Sequence, residues 1–129
     1  MARGIVGFGH VTIVVNDLAA TRHFYGELLG LPEAKRPDWV APGAWYRIGL
    51  GQLHIQVKPE FRPDPHPVGP HFAMYTAPDD YHETIARLRE AGIFFQVEPH
   101  KDPFDGQWRA FCKDPTGNTV EVTDHDPTK

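Results

Sequence analysis

An internal repeat is the strongest constraint on what this chain can fold into. Asp17 and Asp79 lie 62 positions apart, as do Gly30 and Gly92, and His10 and His71 lie 61 apart. Around these markers one order of segments runs twice. Residues 5–15, IVGFGHVTIVV, read as a strand rich in Val and Ile. Asn16 or Asp17 then caps a helix, DLAATRHFYGELLG, with apolar positions at Leu18, Tyr25, Leu28 and Leu29 and a closing Gly30. Extended segments are expected around 33–40, 44–50 and 52–58. The stretch 59–70, PEFRPDPHPVGP, carries too much proline for helix or central strand and reads as a linker. The order then restarts. HFAMYTA (71–77) reads as a strand. DDYHETIARLREAG reads as a helix with Tyr81, Ile85 and Leu88 on one face and Gly92 at its end. FFQVEP, QWRAFCKD and TVEVTD are extended, and DPTGN (114–118) turns between the last two.

Two βαβββ units follow from this pattern, module one at about 5–58 and module two at about 71–124. They are expected to form a single domain across 1–129, because neither half can bury its sheet face alone. The expected class is α+β. A formal net charge of −4 provides no broad basic surface, which argues against nucleic acid as a partner. No apolar run reaches the length of a membrane span, and no secretory signal opens the sequence. The single Cys112 reads as a reduced core thiol, and the cytoplasm is the expected location.

Each module opens and closes on a strand in which a polar residue interrupts an apolar run. The four are His10 in GHVTI, His54 in LHIQV, His71 in PHFAM and Glu121 in VEVTD. Side chains alternate along a strand, so Thr12, Gln56, Ala73 and Thr123 share a face with them. Large apolar residues take the other face: Val11 and Ile13, Leu53 and Ile55, Phe72 and Met74, Val120 and Val122. One face of each strand therefore packs a core while the other lines a cleft in a curved sheet. Three imidazoles and a carboxylate form a donor set for a divalent transition metal (Zn, Ni, Fe(II), Mn or Co), and the lack of Cys ligands argues against a structural zinc. Four separately satisfied core residues would each need a hydrogen-bond partner, whereas one metal serves all four. The other histidines read as surface groups: His23 and His82 on the helices, His66 in the linker, His100 in a loop and His125 in the tail.

The stretches GHVTIVVNDLAATRHFYGELLGL and RAFCKDPTGNTVEVTD, with His71 opening a strand between them, resemble the vicinal oxygen chelate superfamily. That superfamily includes glyoxalase I, methylmalonyl-CoA epimerase, extradiol dioxygenases and the fosfomycin- and bleomycin-resistance proteins. The resemblance covers about residues 6–124. It implies a mixed-sheet half-barrel around a divalent metal that chelates substrate oxygens, in a protein that works as a homodimer. By position, His10, His71 and Glu121 match the family's metal ligands, and His54 falls where glyoxalase I has a glutamate and the epimerase a glutamine.

The resemblance implies a small-molecule substrate and a glyoxalase-like lyase or isomerase that transfers a proton beside a carbonyl. Glu121 would alternate between ligand and general base, and His54 would shuttle the proton. An Fe(II) extradiol-type dioxygenase is one alternative, although a fourth ligand leaves it fewer open positions. A drug-sequestering binding protein is the other, although such proteins typically lack the ligands kept here. Gln56 or Thr123 is expected to orient a ligand. Trp39, Trp45, Tyr46, Arg47, Trp108, Arg109 and Phe111 are the expected walls, with Arg47 or Arg109 holding a substrate carboxylate or phosphate.

Overall fold

A computed structural model describes residues 3–129. The β-branched run HVTIVV forms β1 (His10–Val15), and three further strands follow: β2 (Glu33–Ala34), β3 (Gly43–Ile48) and β4 (Gly51–Val57). Their order across the sheet is β1-β4-β3-β2, with β1 parallel to β4 and the other pairs antiparallel. The second half repeats this arrangement with β5 (His71–Tyr75), β6 (Phe95–Lys101), β7 (Trp108–Lys113) and β8 (Thr119–Thr123), ordered β5-β8-β7-β6. The fold is thus α+β with two open βαβββ sheets, and 59–70 between them contains no helix or strand.

Register makes the duplication exact at the residues of interest. His54 lies opposite Thr12 on β1 and Trp45 on β3. Glu121 lies opposite Ala73 on β5 and Phe111 on β7. His54 and Glu121 are therefore equivalent positions, as are His10 and His71, and Trp45 and Phe111.

The first helix is shorter than its sequence pattern. Asp17 caps α1 (Leu18–Arg22), its carboxylate accepting from Ala20 N at 3.0 Å. From His23 to Leu28 the chain widens into a π-helical turn, with Leu29 N donating to Phe24 O at 3.0 Å. This widening buries Phe24, Tyr25 and Leu28 together. In the second half, α2 (Tyr81–Glu90) buries Tyr81, Thr84, Ile85 and Leu88, as its periodicity implies. Both helical segments end on a glycine in the left-handed region, Gly30 at φ +73° and Gly92 at φ +78°.

One core spans both halves and takes in Phe24, Tyr25 and Leu53 as well as Leu88, Cys112 and Val122. Two sequence signatures 89 positions apart meet across it. Tyr25 OH donates to Asp114 Oδ2 at 2.8 Å, while Asp114 Oδ1 accepts from the backbone N–H groups of Thr116, Gly117 and Asn118. Asn118 Nδ2 in turn donates to Val14 O at 2.9 Å. The FYG and DPTGN signatures are thus two ends of one buried staple. Burial, followed by the neighbouring Asp114 charge, pushes the Tyr25 hydroxyl well above its ordinary pKa and keeps it a donor.

Further sequence expectations differ in detail, and the segment expected to be extended at 33–40 is strand only at Glu33–Ala34. The first strand begins at His10, because residues 5–8 have no strand partner. Val11 is 36% exposed rather than packed, since β1 is a sheet edge. His100 lies in β6, where a bulged pairing with β7 carries the strand through a stretch that contains proline. Among the described residues, no helix is long and apolar enough to cross a membrane. Cys112 is buried, and its thiol is pushed up to about 12 by burial and by Asp114, so it is inert packing.

Candidate functional site

The four polar interruptions fall into two pairs, one on each sheet. In the first, the rings of His10 and His54 stack at 4.0 Å and 14°. Trp45 lies flat on the opposite face of His54 at 4.1 Å and 4°. The cross-strand register creates this three-ring sandwich, because Trp45 and His54 are direct neighbours across an antiparallel pair. His54 Nε2 is 2.8 Å from Gln52 Oε1. An amide oxygen only accepts, so Nε2 carries the hydrogen and Nδ1 keeps the lone pair. Burial, then His10, then Arg36 lower the His54 pKa, which favours the neutral ring that a metal ligand requires.

In the second pair, His71 Nδ1 donates to Gly69 O at 2.9 Å, which in the neutral ring leaves the lone pair on Nε2. That nitrogen faces Glu121 Oε1 at 3.3 Å. Two acceptors this close require a proton or a cation between them. Adjacent ligands bound at roughly 2.0–2.2 Å to one divalent ion stand about 3.0–3.5 Å apart, so the donor set and its spacing fit a metal. Arg109 closes the other side, with Nε 3.8 Å from Glu121 Oε2 and Nη2 2.6 Å from Asp105 Oδ2. Arg109 Nη1 is buried without a partner, and the Arg109 residue borders a cavity of about 140 Å³ lined also by Ala73, Tyr75, Glu121, Thr123 and His125.

The chain does not bring the two pairs together. Among the described residues, no three His, Cys, Asp or Glu side chains converge on one point. Each sheet supplies half of the expected donor set, on a face that is only partly covered. His10 is exposed, and the side chains of His71 and Glu121 are 31% and 14% exposed.

Of the expected walls, Trp45, Phe111 and Arg109 lie on the donor face. Tyr46 is in the core, Trp108 packs on the opposite face beside Tyr81 and His82, and Trp39 is 85% exposed. Arg47 shares the register face of Gln52 but is exposed. Gln52, rather than Gln56 or Thr123, is the residue whose side chain hydrogen-bonds a candidate donor. Thr123 spends its hydroxyl on Trp108 O at 2.7 Å. The signal for Gln52 was available in the sequence, as an amide two residues before His54 on the same strand face.

Two open βαβββ sheets, with a His-led pair at matching register in each, define a duplicated-module protein with a polar donor face. Residues 7–122 match the family model described as Glyoxalase/Bleomycin resistance protein/Dioxygenase superfamily, and the chain belongs to that superfamily. Among solved structures it is similar to a putative glyoxalase family protein from Bacillus anthracis, at 28% identity and TM-score 0.79, covering 98% of this chain and 100% of that one. A glyoxalase family protein from Enterococcus faecalis is 31% identical with TM-score 0.67, covering 91% and 96% respectively. A lactoylglutathione lyase from Agrobacterium tumefaciens shares the fold at 21% identity and TM-score 0.71, covering 94% and 95%. No protein of curated function matches the sequence.

Proposed function

We propose that this protein is a divalent-metal-dependent enzyme that transfers a proton beside a carbonyl on a small substrate chelated through two oxygens. The observation that carries this reading is the convergence of two lone-pair atoms, His71 Nε2 and Glu121 Oε1, at 3.3 Å, with His71 Nδ1 already committed to Gly69 O. His10 and His54 would complete the set. Because each chain holds the pairs apart, the first module of one subunit would meet the second module of another in a homodimer.

His10, His54, His71 and Glu121 would hold the ion, which when bound supplies Lewis-acid stabilisation to a negatively charged oxygen. Glu121 is the base that takes the proton from the carbon beside the carbonyl, and His54 is the second group through which that proton moves. Arg109, whose Nε lies 3.8 Å from Glu121 Oε2 and which borders the same cavity, is placed to hold a substrate carboxylate or carbonyl oxygen. Trp45, stacked flat on His54, and Phe111, edge-on to His71, form apolar walls that limit water. A cytoplasmic location fits the one unpaired, buried thiol. The fourth donor, His54, favours this reading over oxygen chemistry, which needs more open positions.

Metal analysis of protein purified without chelators tests the proposal, followed by titration of the stripped protein with Ni, Zn, Mn, Co and Fe(II). We expect one ion per chain, lost on His71→Ala. Hemithioacetal turnover with the best-bound metal, set against catechol cleavage under oxygen, then separates lyase from dioxygenase. Failure to bind any of these ions stoichiometrically overturns the proposal.

A further inference from the structure

We propose that residues 3–9, the segment leading into β1, form a clasp that packs onto a second copy of this chain and holds the dimer together. The inference rests on the shared-site reading above and adds the surface that maintains it. Ile5, Val6 and Phe8 are 98%, 101% and 87% exposed, three large apolar side chains within four residues. Leu50, in the β3–β4 turn at the same end of the sheet, is fully exposed as well. Clustered apolar exposure of this kind marks a surface that another molecule covers.

The segment is anchored where it meets the sheet. Gln52 N donates to Gly9 O at 3.0 Å, so Gly9 extends the ladder between β1 and β4. Gly51 admits this close passage, since a Cβ there would come within 3.0 Å of Gly9 O and 3.2 Å of Phe8 O. The arm therefore leaves the first sheet in line with β1. That strand is one edge of its sheet and carries His10 and the 36% exposed Val11, and β5, which carries His71, is one edge of the other sheet.

A second module brought against the β1 edge to complete the donor set necessarily lies beside the arm. The arm's own module provides no seat for it, because Tyr46, Leu53 and Ile55 already close that core. A lipid surface is disfavoured, as Arg3 is the one basic residue in the segment and the chain carries a net charge of −4. Each Phe8 alone buries roughly 150–250 Å² when covered. Two arms thus supply a sizeable part of the roughly 1,200–2,000 Å² that a stable pair of subunits buries.

The test is sedimentation velocity over a concentration series, with circular dichroism and metal content read on the same samples. We expect a dimeric wild type. Ile5→Ser/Phe8→Ser should weaken dimerisation at least ten-fold with an unchanged spectrum, and the apolar Ile5→Val/Phe8→Leu should restore it. A serine variant that dimerises like wild type overturns the clasp, and so does a monomeric wild type. A metal-free dimeric wild type refutes the proposed site instead, and the serine variant still decides the clasp.

Discussion

The Nε2–H of His54 points at Gln52 Oε1, and the ring is held flat between Trp45 and His10. His71 is fixed the other way round, with Nδ1–H spent on Gly69 O. The two equivalent sheets thus present different imidazole nitrogens, through Nδ1 at His54 and Nε2 at His71. The partner that accepts from each ring sets the tautomer and strengthens the remaining nitrogen as a donor. Gln52→Leu should therefore weaken metal affinity roughly ten- to a hundred-fold, with Gln52→Glu restoring it. Long-range 1H–15N spectra of the metal-free protein should place the ring proton of His54 on Nε2. An Nδ1–H tautomer in wild type would remove the basis for this prediction. The identity of His10, His54, His71 and Glu121 as exceptions was legible from the chain, because each interrupts an apolar alternation. Gln52 was equally visible but had no mark to set it above Gln56.

At the level of elements, the helix and the turn that carry the family-like signatures are joined by one carboxylate. Asp114 is 3% exposed and takes a hydrogen bond from Tyr25, three from its own turn and one from the Asn118 side chain. The π-helical turn in the first half delivers Tyr25 to this point while burying Phe24 and Leu28 beside it. Tyr25→Phe should cost roughly 1.5–3 kcal/mol, the usual range for a hydrogen bond to a buried charged acceptor. Asp114→Ala should cost more, because it orphans several donors at once. Urea midpoints measure both, and a Tyr25→Phe protein with an unchanged midpoint would refute the staple. The signatures themselves are plain in the sequence. Their contact is not, since 89 positions separate the two side chains and local periodicity is silent about it. The π turn was equally hidden, because FYGEL satisfies an α-helical pattern.

For the whole molecule, the separation of the two donor pairs has a measurable consequence. If each site uses the first module of one subunit and the second module of another, two defective chains can complement one another. His10→Ala and Glu121→Gln homodimers should each be unable to form a complete site. Co-refolded in equal amounts, half of the dimers are mixed, and each mixed dimer holds one intact site, so about a quarter of wild-type metal loading should return. Sites built within one chain would give no recovery. Arg109 adds to this asymmetry, as its counterpart by register is Gly43, so the two modules furnish unlike walls to the same face. Divergence at such positions is how duplicated modules acquire a substrate preference.

The duplication, the α+β class, the breaks at Gly30 and Gly92, the linker at 59–70 and the four candidate donors were all determined by the sequence itself. Each depends on local chemistry: strand alternation, helix caps, left-handed glycines and the poor fit of an imidazole in an apolar run. Tertiary structure decided the rest. It set the register that makes His54 the counterpart of Glu121, chose Gln52 as the group that fixes a tautomer, and left His10 and His54 apart from His71 and Glu121. These outcomes depend on which strands pair and which edges stay open. That choice is made by the burial of residues distant in sequence, Tyr25 against Asp114 and the two helices over one core, and no single stretch of the chain encodes it.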